Sequence, residues 1–358
     1  MRRASERRTH VSRAISITVA GLALLGLAAC GQPAQQQQPS GSAPTQTKQL
    51  TVVTHDSFAL PDDLKAKFAK DTGYEVTYVA PGDTGALVNQ LVLTKDAPLG
   101  DVVYGIDNTF ASRAESEGIL LDYTSAALPD SSRQFSAPQL TPIDFGDVCI
   151  NADTAWFEAK GLAVPTTLDD LTDPKYKDLL VLTNPASSSP GLAFMFATIG
   201  AKGEDGYLDY WRALKDNGAK IDSGWTEAYY TDFSGADGKG PRPLVLSYAT
   251  SPAYTVDGDT SSTVALLGTC FRQVEYAGVL KGTTNEVGAR EFVEFMLSPE
   301  VQAAIPENLF MYPVVHDTPL PADWAKFAPL ATQPIELTAE QIGEHRDQWI
   351  RDWTEAIG

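Results

Sequence analysis

The 358-residue chain has only four histidines and three cysteines, and none of them stand at a metal-binding spacing. There is no HExxH helix, no GxSxG elbow and no GxxxxGK[ST] loop, so zinc-peptidase, α/β-hydrolase and P-loop chemistries lack their signatures. His55-Asp56-Ser57 holds triad residue types. Neighbours in sequence do not make triad geometry, and a polar loop run is the expectation. A secreted hydrolase using Ser57 or Ser188 is the weakest of the readings kept open, and we expect no enzyme, no cofactor and no metal. Basic charge is also scarce: 27 Lys and Arg face 46 Asp and Glu, a net charge of −19. That excludes the basic footprint of a nucleic-acid binder. Apolar runs of membrane-spanning length, ~20 residues, are missing as well.

The longest apolar run, Ile15 to Ala29, follows Arg2, Arg3, Arg7, Arg8 and Arg13. It is too short to span a bilayer comfortably and reads as an export signal. It ends Leu27-Ala28-Ala29-Cys30-Gly31, which resembles the cleavage box of bacterial lipoproteins. Residues 1–29 are the expected signal peptide, with Cys30 as the lipidated first mature residue. The expected location is the outer face of the cytoplasmic membrane. Residues 30–48, rich in Gln, Pro, Ser and Thr, cannot bury a core and read as a disordered tether. Removing residues 1–29 takes away five Arg and one Glu, which leaves 22 basic and 45 acidic residues and a charge of −23. Most of this acidity serves solubility, and it suits a cationic ligand. Cys149 and Cys270 remain as an exported pair that can bridge.

From Leu50 onward the pattern is α/β. Leu50–Thr54, Glu75–Ala80 and Asp101–Tyr104 read as strands separated by helices from Pro61 and after Gly85, so a parallel sheet is expected. About 300 residues suffice for two lobes. Leu179–Leu182, Lys220–Asp222 and Phe271–Leu280 read as further strands, Cys149–Asn151 as a crossing strand, and Ala339–Trp353 as a C-terminal helix. Pro243–Tyr254, PLVLSYATSPAY, is the most suggestive stretch. A short buried strand ends in Ser247-Tyr248-Ala249-Thr250-Ser251-Pro252, four hydroxyls and a ring, at the strand end where open sheets hold ligands. Gly82–Gly85 and Ser187–Gly191 likewise follow strands and open helices, which suits an anion, although plain helix capping explains each alone. Tyr229-Tyr230 is a pair of a kind that binds ferric iron in some exported proteins. One packed and one exposed ring is the preferred reading.

LTVVTHDSF (50–58), DVVYGIDN (101–108), SGWTEAY (223–229), LVLSYATSPAY (244–254) and MYPV (311–314) together resemble the thiamine-binding solute receptors of bacterial ABC importers. The similarity runs from Leu50 to near the C-terminus. It implies a two-lobed periplasmic-binding-protein fold (type II), each lobe a mainly parallel sheet flanked by helices. The implied first lobe comprises 49–146 and 275–358, and the second 147–274. It implies capture of thiamine or its mono- or diphosphate in the cleft between lobes. Delivery would be to an ABC permease with its ATPase, by a monomer without nucleic acid. The family's ligand loops fall on Asp83 and Thr84, on Ser188 and Ser189, on Trp225, and on Tyr248, Ala249, Thr250 and Ser251. His55, Asp56 and Phe310 join them, with His55 standing where the family has Tyr and Phe310 where it has Trp. In this reading Trp225 and Tyr248 face the rings and Asp83 counters the positive charge. Ser188, Ser189 and the Thr84 amide meet the hydroxyl or phosphate end. A same-fold protein for ferric iron or a polyamine is the alternative.

Overall fold

A computed structural model describes residues 47–358. The expected signal peptide, Cys30 and nearly all of the tether lie outside the described residues. Folded structure begins two residues inside the expected tether: the Glu75 N–H donates to the Lys48 carbonyl at 2.8 Å, and Asn285 Nδ2 donates to the Thr47 carbonyl at 3.3 Å.

The chain opens with β1 (Gln49–Thr54), α1 (Asp62–Thr72), β2 (Glu75–Val79), α2 (Thr84–Leu93), β3 (Val102–Asp107) and α3 (Ala111–Ser116). Strand β1 lies between β2 and β3, parallel to both, with Val52 opposite Tyr78 and Val53 opposite Val103. Helix α1 has Asp62 and Asp63 in its first turn and stops at Gly73, whose φ of 75° closes a left-handed cap.

The middle of the chain holds β4 (Thr141–Asp153), α4 (Thr154–Lys160), β5 (Leu180–Thr183), α5 (Ser189–Lys202), α6 (Tyr207–Asp216), β6 (Lys220–Asp222), α7 (Trp225–Glu227) and β7 (Leu244–Tyr248). The short β8 (Val256–Asp257), β9 (Thr260–Ser261) and β10 (Thr263–Ala265) lead to β11 (Phe271–Val279). Then come α8 (Glu286–Met296), α9 (Pro299–Asn308), β12 (Tyr312–Pro313), α10 (Trp324–Phe327) and α11 (Ala339–Ile357).

One sheet runs β2-β1-β3-β11-β4-β7-β5-β6, with β10 and β12 also paired to β4. Three parallel strands stand at one end (β2, β1, β3) and three at the other (β7, β5, β6). The antiparallel β11 and β4 run between them. Both carry register shifts around Glu275–Ala277, where the partner strands gain an extra residue near Gly105 and Ile143. Such bulges bend a sheet.

Strand β4 is far longer than the three residues Cys149–Asn151 read from the sequence. Asp144, Gly146 and Asp147 break the apolar pattern and conceal it. Buried polar partners meet these carboxylates, with Asp144 Oδ1 left without a hydrogen bond. Asp144 Oδ2 lies 2.6 Å from the Tyr104 hydroxyl oxygen, and Asp147 takes the Arg272 guanidinium and the Ala331 N–H. Cys149 and Cys270 form a disulfide that ties β4 to the start of β11. Helix α11 reaches across the molecule. It touches α3, while Trp353 meets Trp211 edge-on at 5.2 Å and Trp349 meets Phe196. Among the described residues no helix is long and apolar enough to cross a membrane.

Candidate ligand-binding site

The carboxyl ends of β1, β2, β5, β6 and β7 converge on one cavity of about 300 Å³. That is the lower range of small-molecule sites. Of the residues singled out from sequence, His55, Asp56, Asp83, Thr84, Ser189, Trp225, Tyr248, Ser251 and Phe310 line it. The turn at Asp83 and the exit of β7 therefore border the same space, although 160 residues separate them.

Asp83 connects the parts. Its Oδ1 accepts the Thr84 N–H at 2.6 Å and the Ser189 N–H at 3.2 Å, and its Oδ2 accepts the Trp225 N–H at 3.0 Å. One carboxylate thus joins the first turns of α2, α5 and α7. Burial pushes its pKa up, and these N–H donors, with the Ser188 hydroxyl, oppose the rise. Three of its roughly four lone-pair positions are occupied, which leaves little of it for a ligand cation. The approach of α2 to α5 depends on Gly85. A Cβ there would stand 2.6 Å from the Ser187 carbonyl carbon.

Aromatic rings form one wall. Trp225 stacks on Tyr229 with centroids 4.8 Å apart at 20°, and it meets Tyr230 and Tyr248 edge-on at 5.5 and 6.4 Å. Its indole Nε1 donates to Ser247 Oγ at 2.9 Å, and Ser247 in turn pairs with Ser251 Oγ at 2.8 Å. Tyr229 is buried and Tyr230 is 43% exposed, the one packed and one open ring read from the sequence. Phe310 has φ of 54°, an uncommon conformation for a bulky residue, and two contacts hold it there. Thr250 Oγ1 donates to its carbonyl, and the Tyr254 ring packs edge-on against it at 5.0 Å.

The remaining expected residues stand behind the lining. Ser188 is fully buried and donates to Thr183 Oγ1 at 2.9 Å. Ala249 packs beside the disulfide, and Thr250 is spent on Phe310. Ser189 lines the cavity, but its hydroxyl donates to Asp107. Burial lifts Asp107 to about 7, although the Ser189 and Thr109 hydroxyls pull it down. The Ser57 hydroxyl pairs with Thr226 Oγ1 at 3.2 Å, and His55 Nδ1 accepts the Ser57 backbone N–H rather than that hydroxyl.

Sequence reading passed over Glu275, Tyr254, Phe58, Asn308, Leu309 and Met311, all of which line the cavity. Glu275 had a signal. Gln273 and Glu275 stand at alternate positions of a largely apolar strand, so both point to one face. For metals, Asp222, Glu227 and Asp232 place carboxylate oxygens within 4.8 Å of one another. The Lys220 ammonium already bonds Asp222 at 2.8 Å and also Asp232, so the chain supplies its own cation there.

A cleft at the strand ends of two half-sheets, crossed by two antiparallel strands, defines a two-lobed binding protein of the periplasmic type II class. The chain belongs to the bacterial extracellular solute-binding protein family, which residues 97–330 match. It is 30% identical over 316 residues to the thiamine-binding periplasmic protein of Escherichia coli (strain K12), covering 86% of this chain and 93% of that one. The solved structure of a periplasmic thiamin binding protein superposes with a TM-score of 0.75 at 27% identity, covering 87% of this chain and 96% of that one. The ferric binding protein from Campylobacter jejuni shares the fold, with a TM-score of 0.68 at 16% identity over 86% of this chain and 99% of that one.

Proposed function

We propose that the protein captures thiamine, or a phosphate ester of it, in this cavity and delivers it to a membrane permease driven by a cytoplasmic ATPase. The observation that carries the reading is a small cavity walled by Trp225, Tyr229, Tyr230 and Tyr248 and bordered by the carboxylates Asp56, Asp83 and Glu275. Thiamine is a flat aminopyrimidine joined to a cationic thiazolium. Rings recognise the flat faces, and each good cation–π contact contributes roughly 0.5–2 kcal/mol. The similarity to thiamine-binding periplasmic proteins supports the same choice. Capture is non-covalent. The lobes 49–146 with 275–358 and 147–274 close about β4 and β11, and closure excludes water from the polar contacts. The protein works as a monomer held by lipid on Cys30 at the outer face of the cytoplasmic membrane. The acidic border favours the least anionic ligand, thiamine itself, over its esters.

Calorimetric titration of the mature domain with thiamine, its monophosphate and its diphosphate tests this. Saturable heat in the micromolar range or tighter is expected, strongest for thiamine. No heat and no thermal shift at millimolar thiamine refutes it, and a tyrosinate–iron absorbance on adding Fe³⁺ would support the iron alternative instead.

A further inference from the structure

Glu275 lines the cavity from the middle of β11, where the sheet bends, and its side chain is only 7% exposed. Its partners are Tyr104, whose hydroxyl donates to Oε2 at 2.8 Å, and Gln273, whose Nε2 donates to Oε1 at 3.1 Å. The other buried acid of this cluster, Asp144, is driven well up by burial and then by Glu275, so it keeps the proton and leaves the charge on Glu275. His55, at 3.7 Å, is the one basic side chain within ion-pair reach of Glu275 among the described residues. Gly105, with φ of 99°, admits that ring, since a Cβ there would stand 2.2 Å from His55 Cδ2. Two influences act on His55. Burial disfavours its charge, while Glu275, Asp83 and Asp56 lift its pKa above the ordinary value. Against that, Nδ1 accepts the Ser57 N–H at 3.2 Å and so carries no proton in this arrangement. We give weight to the hydrogen bond, which makes His55 a neutral ring with Nε2 toward Glu275. That Nε2 has no hydrogen-bond partner. No Lys or Arg forms an ion pair with Glu275 among the described residues.

A buried carboxylate held by only two neutral side-chain donors in a ligand cavity is stabilised when a cation joins it. Asp83 cannot serve equally, because backbone N–H groups already occupy both of its oxygens. Asp56 is exposed, where solvent screens it. We infer that Glu275 is the residue that selects a positively charged ligand, its carboxylate supplying the counter-charge that the chain itself withholds. This rests on the thiamine reading and names the group behind its charge preference.

The test compares thiamine with its neutral thiophene analogue, in which carbon replaces the charged ring nitrogen and the planar outline is kept, on the wild-type protein and on Glu275→Gln. The wild type should prefer thiamine by at least about thirtyfold, and Glu275→Gln should lose most of that preference while binding the neutral analogue nearly as before. A folded Glu275→Gln protein that keeps the wild-type preference overturns the inference. So does a wild type that binds both ligands alike, a measurement that needs no variant. A wild type that binds neither ligand refutes the thiamine reading itself, which is a different failure.

Discussion

Replacing Asp83 by Ala probes the closure of the cleft. The carboxylate makes three bonds, of which two cross from the first segment of the chain to Ser189 and Trp225 in the second. Hydrogen bonds to a charged acceptor contribute about 1.5–3 kcal/mol each when fully buried. In an open cleft all these groups are hydrated, so we take about 1 kcal/mol for each crossing bond, close to the net value for ordinary hydrogen bonds. Their loss removes about 2 kcal/mol from the closed, ligand-holding form, which corresponds to a dissociation constant roughly thirtyfold higher. The third bond, to the Thr84 N–H, caps α2, and its loss costs about 1 kcal/mol of global stability. Asp83→Asn keeps one acceptor oxygen but turns an NH₂ toward a backbone donor, so an intermediate loss is expected. The assay pairs calorimetry on thiamine with small-angle scattering, which reads the shift toward an open shape without ligand. A folded Asp83→Ala protein that binds thiamine within threefold of wild type, with unchanged scattering, refutes the reasoning.

Trp225→Ala removes both the stacked wall and the indole bond to Ser247, and should weaken thiamine binding at least about tenfold. An unchanged dissociation constant takes Trp225 out of the site. Asp107 has a folded pKa of about 7 against an ordinary 3.8. The stability it confers as a neutral acid is therefore full below about 3.8 and is lost as pH rises through about 7. Asp107→Asn should flatten that part of the urea-stability profile between pH 4 and pH 7.5, and a profile identical to wild type disproves the assignment. Replacing Cys149 and Cys270 by Ser opens a loop of 121 residues and should cost roughly 4–5 kcal/mol in the chain-entropy account. An unmoved urea midpoint would refute it.

Much of this was legible in the chain. The strand–helix alternation after Leu50 and the exit of β7 at Tyr248 follow from local patterning, where apolar periodicity and hydroxyl-rich turns carry their own signal. The strand Lys220–Asp222 fell where its residues predict. Helix α5 begins at Ser189, inside the Ser187–Gly191 loop, where the Asp83 carboxylate accepts the N–H of its first residue.

By itself, the sequence determined the elements, the acidic charge and which loops carry rings and hydroxyls, because each depends on neighbours within a few residues. Tertiary structure alone decided what those groups do. Thr250 holds the Phe310 backbone, Ser188 is buried on Thr183, and Asp83 fastens three helix starts. Glu275 becomes the anion of the cavity only when β11 passes between two half-sheets beside Tyr104 and Asp144. Burial, long-range hydrogen bonding and the sharing of a proton between two acids depend on what lies across space, and no local pattern encodes that.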